Sequence, residues 1–163
     1  MTFIIFYLLD KLNIINMLKF SIKNLIKNLQ GFIMNIKNIE SKEVFKWFKE
    51  ISKIPRESGH EKEISDFLVA FAKERNFEVY RDSANNVIIK KRGTSEYENK
   101  NPVIIQGHMD MVCEKTKDSK HDFRKDAIEL IIEGDILKAN DTTLGGDDGI
   151  AIAMGLALLD SKN

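Results

Sequence analysis

The 163-residue sequence has a single cysteine, Cys113, so no disulfide can close within the chain and a reducing compartment suits it. Charge of one sign is also missing: 25 Lys and Arg balance 25 Asp and Glu, which removes the basic field expected of a nucleic-acid partner. Long apolar runs are absent too. Residues 3 to 9 form one, but Asp10 and Lys11 cut it far short of the ~18 residues that a membrane span needs. The start lacks the positive stretch and small-residue cleavage site of a signal peptide. These absences point to a cytoplasmic chain with no transmembrane segment and no nucleic-acid role. Histidine is scarce, with only His60, His108 and His121, and no Glu-Glu dipeptide occurs.

What is present reads as a folded domain. Hydrophobic residues make up 43% and charged residues 31%, the balance of a globular protein of single-domain length. Residues 1–33 stand apart from the rest. Ile15, Leu18, Ile22, Leu25, Ile26 and Leu29 keep helical spacing, with Lys19, Lys23 and Lys27 on another face. This segment is expected to be an over-extended start or a basic amphipathic helix. Residues 1–33 should then be dispensable for the fold, and the domain is assigned to residues 34–163.

From Ser41, the residues Val44, Trp47, Phe48, Ile51 and Ile54 recur at three and four, with Pro55 as a stop, and predict a helix with an aromatic core face. Ser58-Gly59-His60-Glu61 has the form of a capping box opening a second helix, with Ile64, Phe67, Leu68 and Phe71 buried and His60 in the exposed first turn. Residues 77–82 and 87–90, joined through Asn85-Asn86, predict a hairpin. Pro102 to Gly107 is continuously apolar except for Gln106, the pattern of a strand covered on both faces. Residues 128–132 and 136–139 predict a second hairpin. Gly149 to Leu159 is a nearly all-apolar helix that has to be covered. Helices, paired strands and a central strand describe an α/β layered domain.

Two sites carry chemistry. His108 and Asp110 stand two apart at the end of a strand, so they project to one side, at the end where open α/β sheets place ligands. An imidazole oriented by a carboxylate suits a metal, although His-x-Asp alone is equally a hydrogen-bonded structural pair. The second site is Gly145-Gly146-Asp147-Asp148-Gly149, at a loop-to-helix junction. Alone it is a well-made helix start; beside His108, Asp147 becomes a candidate bridging carboxylate between two metal ions. Cys113 is near enough in sequence to be considered as a soft ligand, but hydrolytic di-zinc sites favour histidine and carboxylates.

Residues 106–115 (Gln106-Gly107-His108-Met109-Asp110-Met111-Val112-Cys113-Glu114-Lys115), then His121-Asp122-Phe123 with Lys125-Asp126, then residues 142–150 around Gly145-Gly146-Asp147-Asp148-Gly149, resemble the bacterial cytosolic non-specific dipeptidases. These are also called aminoacyl-histidine or Xaa-His dipeptidases, or peptidase D, and belong to the di-zinc exopeptidase superfamily. The resemblance runs from about Met34 to the end. It implies an incomplete helix/sheet/helix catalytic domain of zinc-exopeptidase type, in which His108 ligates one zinc, Asp147 bridges two and Asp110 is the active-site acid. Asp148 would serve as helix cap or as support behind the ligands, after a cis peptide bond that relatives often hold there. Cobalt or manganese are further metals to expect. The implied substrate is a dipeptide, and homodimerisation is expected only of a complete enzyme. The Glu-Glu pair, further acid, distal histidine and second domain of the family have no counterpart here, so the chain is expected to be inactive. Gly146 and Asp148 replace the Ala and Asn common in relatives. Two other readings are a non-catalytic gene remnant or metal-binding module, and an aminoacylase- or carboxypeptidase-type metallohydrolase. The Cys113-Glu114-Lys115 and His121-Asp122-Phe123 motifs weigh against the last.

Overall fold

The computed structural model describes residues 3–8, 42–94 and 98–161. In chain order these form β1 (Phe3–Leu8), α1 (Lys42–Ile51), α2 (Lys62–Glu74), β2 (Glu78–Arg81), β3 (Val87–Lys91), β4 (Val103–His108), β5 (Leu130–Glu133), β6 (Ile136–Ala139) and α3 (Gly146–Asp160). A four-stranded sheet has the order β2-β3-β1-β4, and β5 pairs with β6 in a separate hairpin.

The two expected hairpins both form. Tyr80 pairs with Ile88 across β2 and β3, and Ile132 with Leu137 across β5 and β6. The first turn is closed by Asp82, whose carboxylate accepts the amides of Ala84 and Asn86, each at 2.9 Å. This Asx-type closure suits Asn85, which stands at positive φ.

Side-chain alternation sorts the sheet into two faces. Val87 and Ile89 are fully buried, and Val79, Val103 and Ile105 pack against the same cluster. Over them lie Trp47, Phe48 and Ile51 of α1, Ile64, Leu68 and Phe71 of α2, and Ile152, Leu156 and Leu159 of α3. Trp47 meets Phe71 edge-on with centroids 5.0 Å apart, which locks α1 to α2. Among the described residues the helices thus cover one face of this α/β layer. Tyr80 and Ile104, on the other face, are 61% and 58% exposed. The reading of β4 as covered on both faces is corrected accordingly: its apolar content is continuous, but only alternate residues meet the core.

The N-terminal segment brings a second difference. Phe3–Leu8 runs parallel to β3, with Ile4 opposite Val87, and antiparallel to β4, with Phe3 opposite His108. Six residues of the segment set apart as 1–33 thus form a strand inside the sheet. The amphipathic pattern from Ile15 to Leu29, and Ser41 where the first helix was expected to open, lie outside the described residues.

The capping box is also corrected. Helix α2 begins after Glu61, which makes no side-chain cap bond to the helix; its carboxylate instead accepts the Gly59 amide at 2.7 Å. Ser58 turns its hydroxyl elsewhere, to the end of β4.

Candidate metal and catalytic site

The site forms where the C-terminal end of β4 meets the start of α3. Gly107 makes the approach possible. A Cβ there would stand 2.8 Å from Asp148 Oδ2 and 3.2 Å from the Ala151 methyl, so only glycine lets the strand lie this close to the helix. His108 follows, with its side chain 19% exposed, and Asp110 after it is buried.

His108 Nδ1 stands 3.1 Å from both the carbonyl and the Oδ1 of Asp110. Asp110 Oδ2 accepts the Ser58 hydroxyl at 2.7 Å. Burial alone would push the Asp110 carboxyl up; the Ser58 hydrogen bond and the neighbouring His108 outweigh it and hold the group below its ordinary value. Asp110 is therefore a fixed anion at neutral pH.

On the ring's other side, Nε2 is 3.3 Å from Asp147 Oδ1. Gly145, in the left-handed region at φ +68°, turns the chain into α3, and Asp147 and Asp148 keep non-helical dihedrals inside the first turn. The bond between them is cis. The Asp147 side chain is 97% exposed and aimed at His108. Asp148 points away from it, with Oδ2 accepting the His108 backbone amide at 3.3 Å.

This donor set can be tested against a metal by its chemistry. A neutral imidazole carries one N–H. With that proton directed at Asp110, Nε2 presents a lone pair to the Asp147 carboxylate. Two acceptors facing each other are satisfied by a second proton or by a cation between them. Their separation also suits one ion, since tetrahedral ligands at zinc distances of ~2.0–2.1 Å lie about 3.3 Å apart. In number the donors fall short: among the described residues no group of three His, Cys, Asp or Glu converges.

The remaining candidates are elsewhere or otherwise engaged. Cys113 donates weakly to the Met111 carbonyl at 3.6 Å, and burial, with Glu57 nearby, pushes its thiol up. His60 pairs with Glu57 at 3.6 Å, and His121 stacks edge-on against Phe123 with centroids 4.5 Å apart.

Two residues to which the sequence reading gave no role at this site complete the setting. Ser58 anchors Asp110, as described. Arg56 is 2% exposed and sends Nη2 to the Gly145 carbonyl at 3.0 Å and Nη1 to the Met109 carbonyl at 3.4 Å. Desolvation lowers its pKa to about 10, with the Asp110 carboxylate opposing, so it stays a cation at neutral pH. The signal for both was the segment Pro55-Arg56-Glu57-Ser58 between two helices, polar in a place that had to cross the core's edge.

The chain is 45% identical over 116 residues to the cytosol non-specific dipeptidase of Escherichia coli, covering 71% of this chain and 24% of that protein. The crystal structure of aminoacylhistidine dipeptidase from Vibrio alginolyticus superimposes with a TM-score of 0.71 at 38% identity, covering 80% of this chain and 26% of the other. The chain thus spans about a quarter of the length of these relatives. No family model matches it. The resemblance carried by the three motifs is borne out, as is the α/β fold. No helix among the described residues is long and apolar enough to cross a membrane.

Proposed function

We propose that this chain carries half of the metal site of a dipeptide-hydrolysing enzyme, with His108 and Asp147 as ligands and Asp110 as the acid that orients His108. The observation behind the reading is the facing pair: His108 Nε2 and Asp147 Oδ1, 3.3 Å apart, each an acceptor when Nδ1–H donates its hydrogen bond to the Asp110 carboxylate. Zinc is the metal the donor types favour, with cobalt or manganese able to replace it. When bound, the metal would polarise a scissile carbonyl and make a bound water acidic. The chain's own residues supply orientation. Asp110 fixes the imidazole tautomer, Ser58 fixes Asp110, and Asp148 holds the backbone at His108.

The chain by itself is not expected to turn over substrate. No Glu-Glu pair occurs in the sequence to supply a general base, a contribution of typically ~10²–10⁴-fold, and among the described residues the ligand set stops at two. The substrate class, a dipeptide including Xaa-His, and the cytosolic setting are named for the longer relatives and come to this chain only through them, and homodimerisation is proposed for the complete enzyme alone. A metal-binding module without catalysis is the second reading, favoured by the same shortage of donors. The decisive measurement has two parts. Zinc should shift the His108 ring signals in nuclear magnetic resonance, and His108→Asn should abolish saturable binding. Hydrolysis of Ala-His or Gly-Gly should be absent. Zinc-dependent turnover by the pure chain would overturn the inactive reading, and the lack of any zinc effect at His108 would overturn the metal site itself.

A further inference from the structure

We infer that Arg56 is the positioning residue of this site: its guanidinium clamps the Gly145 loop to the end of β4 and so sets the separation of His108 and Asp147. The purpose of that separation rests on the metal-site reading above; the clamp itself does not. One fork of Arg56 reaches the carbonyl of Met109, next to His108, and the other reaches the carbonyl of Gly145, two residues before Asp147. These acceptors lie 53 and 89 residues away in sequence, and the two hydrogen bonds join the strand end to the helix start. The Arg56 carbonyl also accepts the Met111 amide at 3.0 Å, which ties its backbone to the same strand end.

Two glycines of the Asp147 motif make room for this side chain. A Cβ at Gly145 would stand 2.5 Å from Arg56 Nη2, and one at Gly149 would stand 3.0 Å from the same atom and 3.3 Å from Nη1. The motif therefore reads as more than a flexible turn: its first and last glycines are the walls of a guanidinium slot. Burying a cation with carbonyl acceptors is costly compared with an apolar side chain of similar size. What the guanidinium adds is direction, because its planar fork holds two acceptors at once. A lysine ammonium at the same place is a single flexible point charge. Arg56 Nε is buried without a partner among the described residues, so the side chain is held from its two Nη atoms alone.

The test uses the full chain without metal. Cross-relaxation between the His108 ring protons and the Asp147 β protons should be visible in the unsubstituted chain, and its absence there overturns the clamp. Arg56→Lys should remove this cross-peak and speed exchange of the Thr143 amide, which bonds the Glu114 carbonyl at 2.8 Å where the same loop meets the chain after β4, by about tenfold or more, the loss expected for a charged hydrogen bond. Leu68→Ala, in the core under α2, should lower the melting temperature at least as much and leave both signals intact. Gly149→Ala provides a second probe, since its methyl displaces the guanidinium without removing it; it should weaken the cross-peak as Arg56→Lys does. If Arg56→Lys and Gly149→Ala keep the cross-peak and the exchange rates, or Leu68→Ala loses them equally, Arg56 is an ordinary buried residue. Adding zinc separates the two claims. A clamp that responds as predicted with no zinc shift at His108 leaves the positioning role standing and removes the metal reading.

Discussion

The two carboxylates flanking His108 live under opposite conditions. Asp110 is 8% exposed, bonded to Ser58 and His108, and held below its ordinary pKa. The Asp147 side chain is 97% exposed, with the His108 ring as its partner. The strand end is thus a finished platform, in which each polar atom has its place before any ligand arrives. The loop offers a carboxylate that costs little to leave in water and little to commit to a cation. A ligand site needs both kinds of group: one that fixes orientation permanently, and one that stays available.

The largest way to disturb this contrast is to take away what backs the platform. Phe3 of β1 pairs directly opposite His108, and β1 lies between β3 and β4. Removing residues 1–33 should therefore cost on the order of 3 kcal/mol or more, from a backbone ladder on both edges of one strand at about 1 kcal/mol per net hydrogen bond. Urea unfolding followed by circular dichroism, comparing the full chain with one starting at Met34, gives the answer. Equal midpoints would mean that the sheet does not depend on β1, in line with the division drawn from sequence at residue 34.

Why that strand was not legible follows from what sequence patterns report. A hairpin declares itself through a turn, as at Asn85-Asn86, because its partner is a few residues away. The partners of β1 lie more than eighty positions along the chain, and an apolar run with no turn beside it names none of them. Helix α1 was readable because its apolar residues recur at three and four, and α3 because its run is apolar nearly throughout. His108, Asp110 and Asp147 were readable because imidazole and carboxylate in tight glycine-flanked contexts are uncommon without a use. Ser58 and Arg56 were not. Ser58 fits a capping box by spacing, but a carboxylate within 2.7 Å is a better acceptor for its hydroxyl than the helix is a donor site. Arg56 looks like any surface cation until the fold brings two distant carbonyls to it. Local chemistry is written in sequence; the second residue of a long-range pair is not.

A smaller disturbance acts on Asp110 alone. Ser58→Ala removes the donor that most lowers its carboxyl and should cost about 1.5–3 kcal/mol at neutral pH, as hydrogen bonds to charged groups do. The folded-state pKa of Asp110 lies below its unfolded value, so its contribution is complete above the unfolded pKa of ~3.9 and fades as pH falls through the folded value. The gap between the two proteins should accordingly be full at pH 6–7 and should close in strong acid. A gap that stays constant down to acid pH would show that Ser58 acts by packing and not through the Asp110 charge.

The smallest effect on stability should come from the residue with the largest effect on binding. Asp147→Asn keeps the shape of an exposed side chain and loses only its charge, so the unfolding midpoint should move by no more than ~0.5 kcal/mol. The substitution also turns one acceptor into a donor facing His108 Nε2, relieving the acceptor pair that makes the gap attractive to a cation. Zinc-induced shifts of the His108 ring should then disappear although the fold is unchanged. Isothermal titration with zinc beside urea unfolding reads both quantities on the same sample. Should the variant bind zinc as the unsubstituted chain does, Asp147 is no ligand, and the contrast between a fixed and an available carboxylate reduces to ordinary capping at the start of α3.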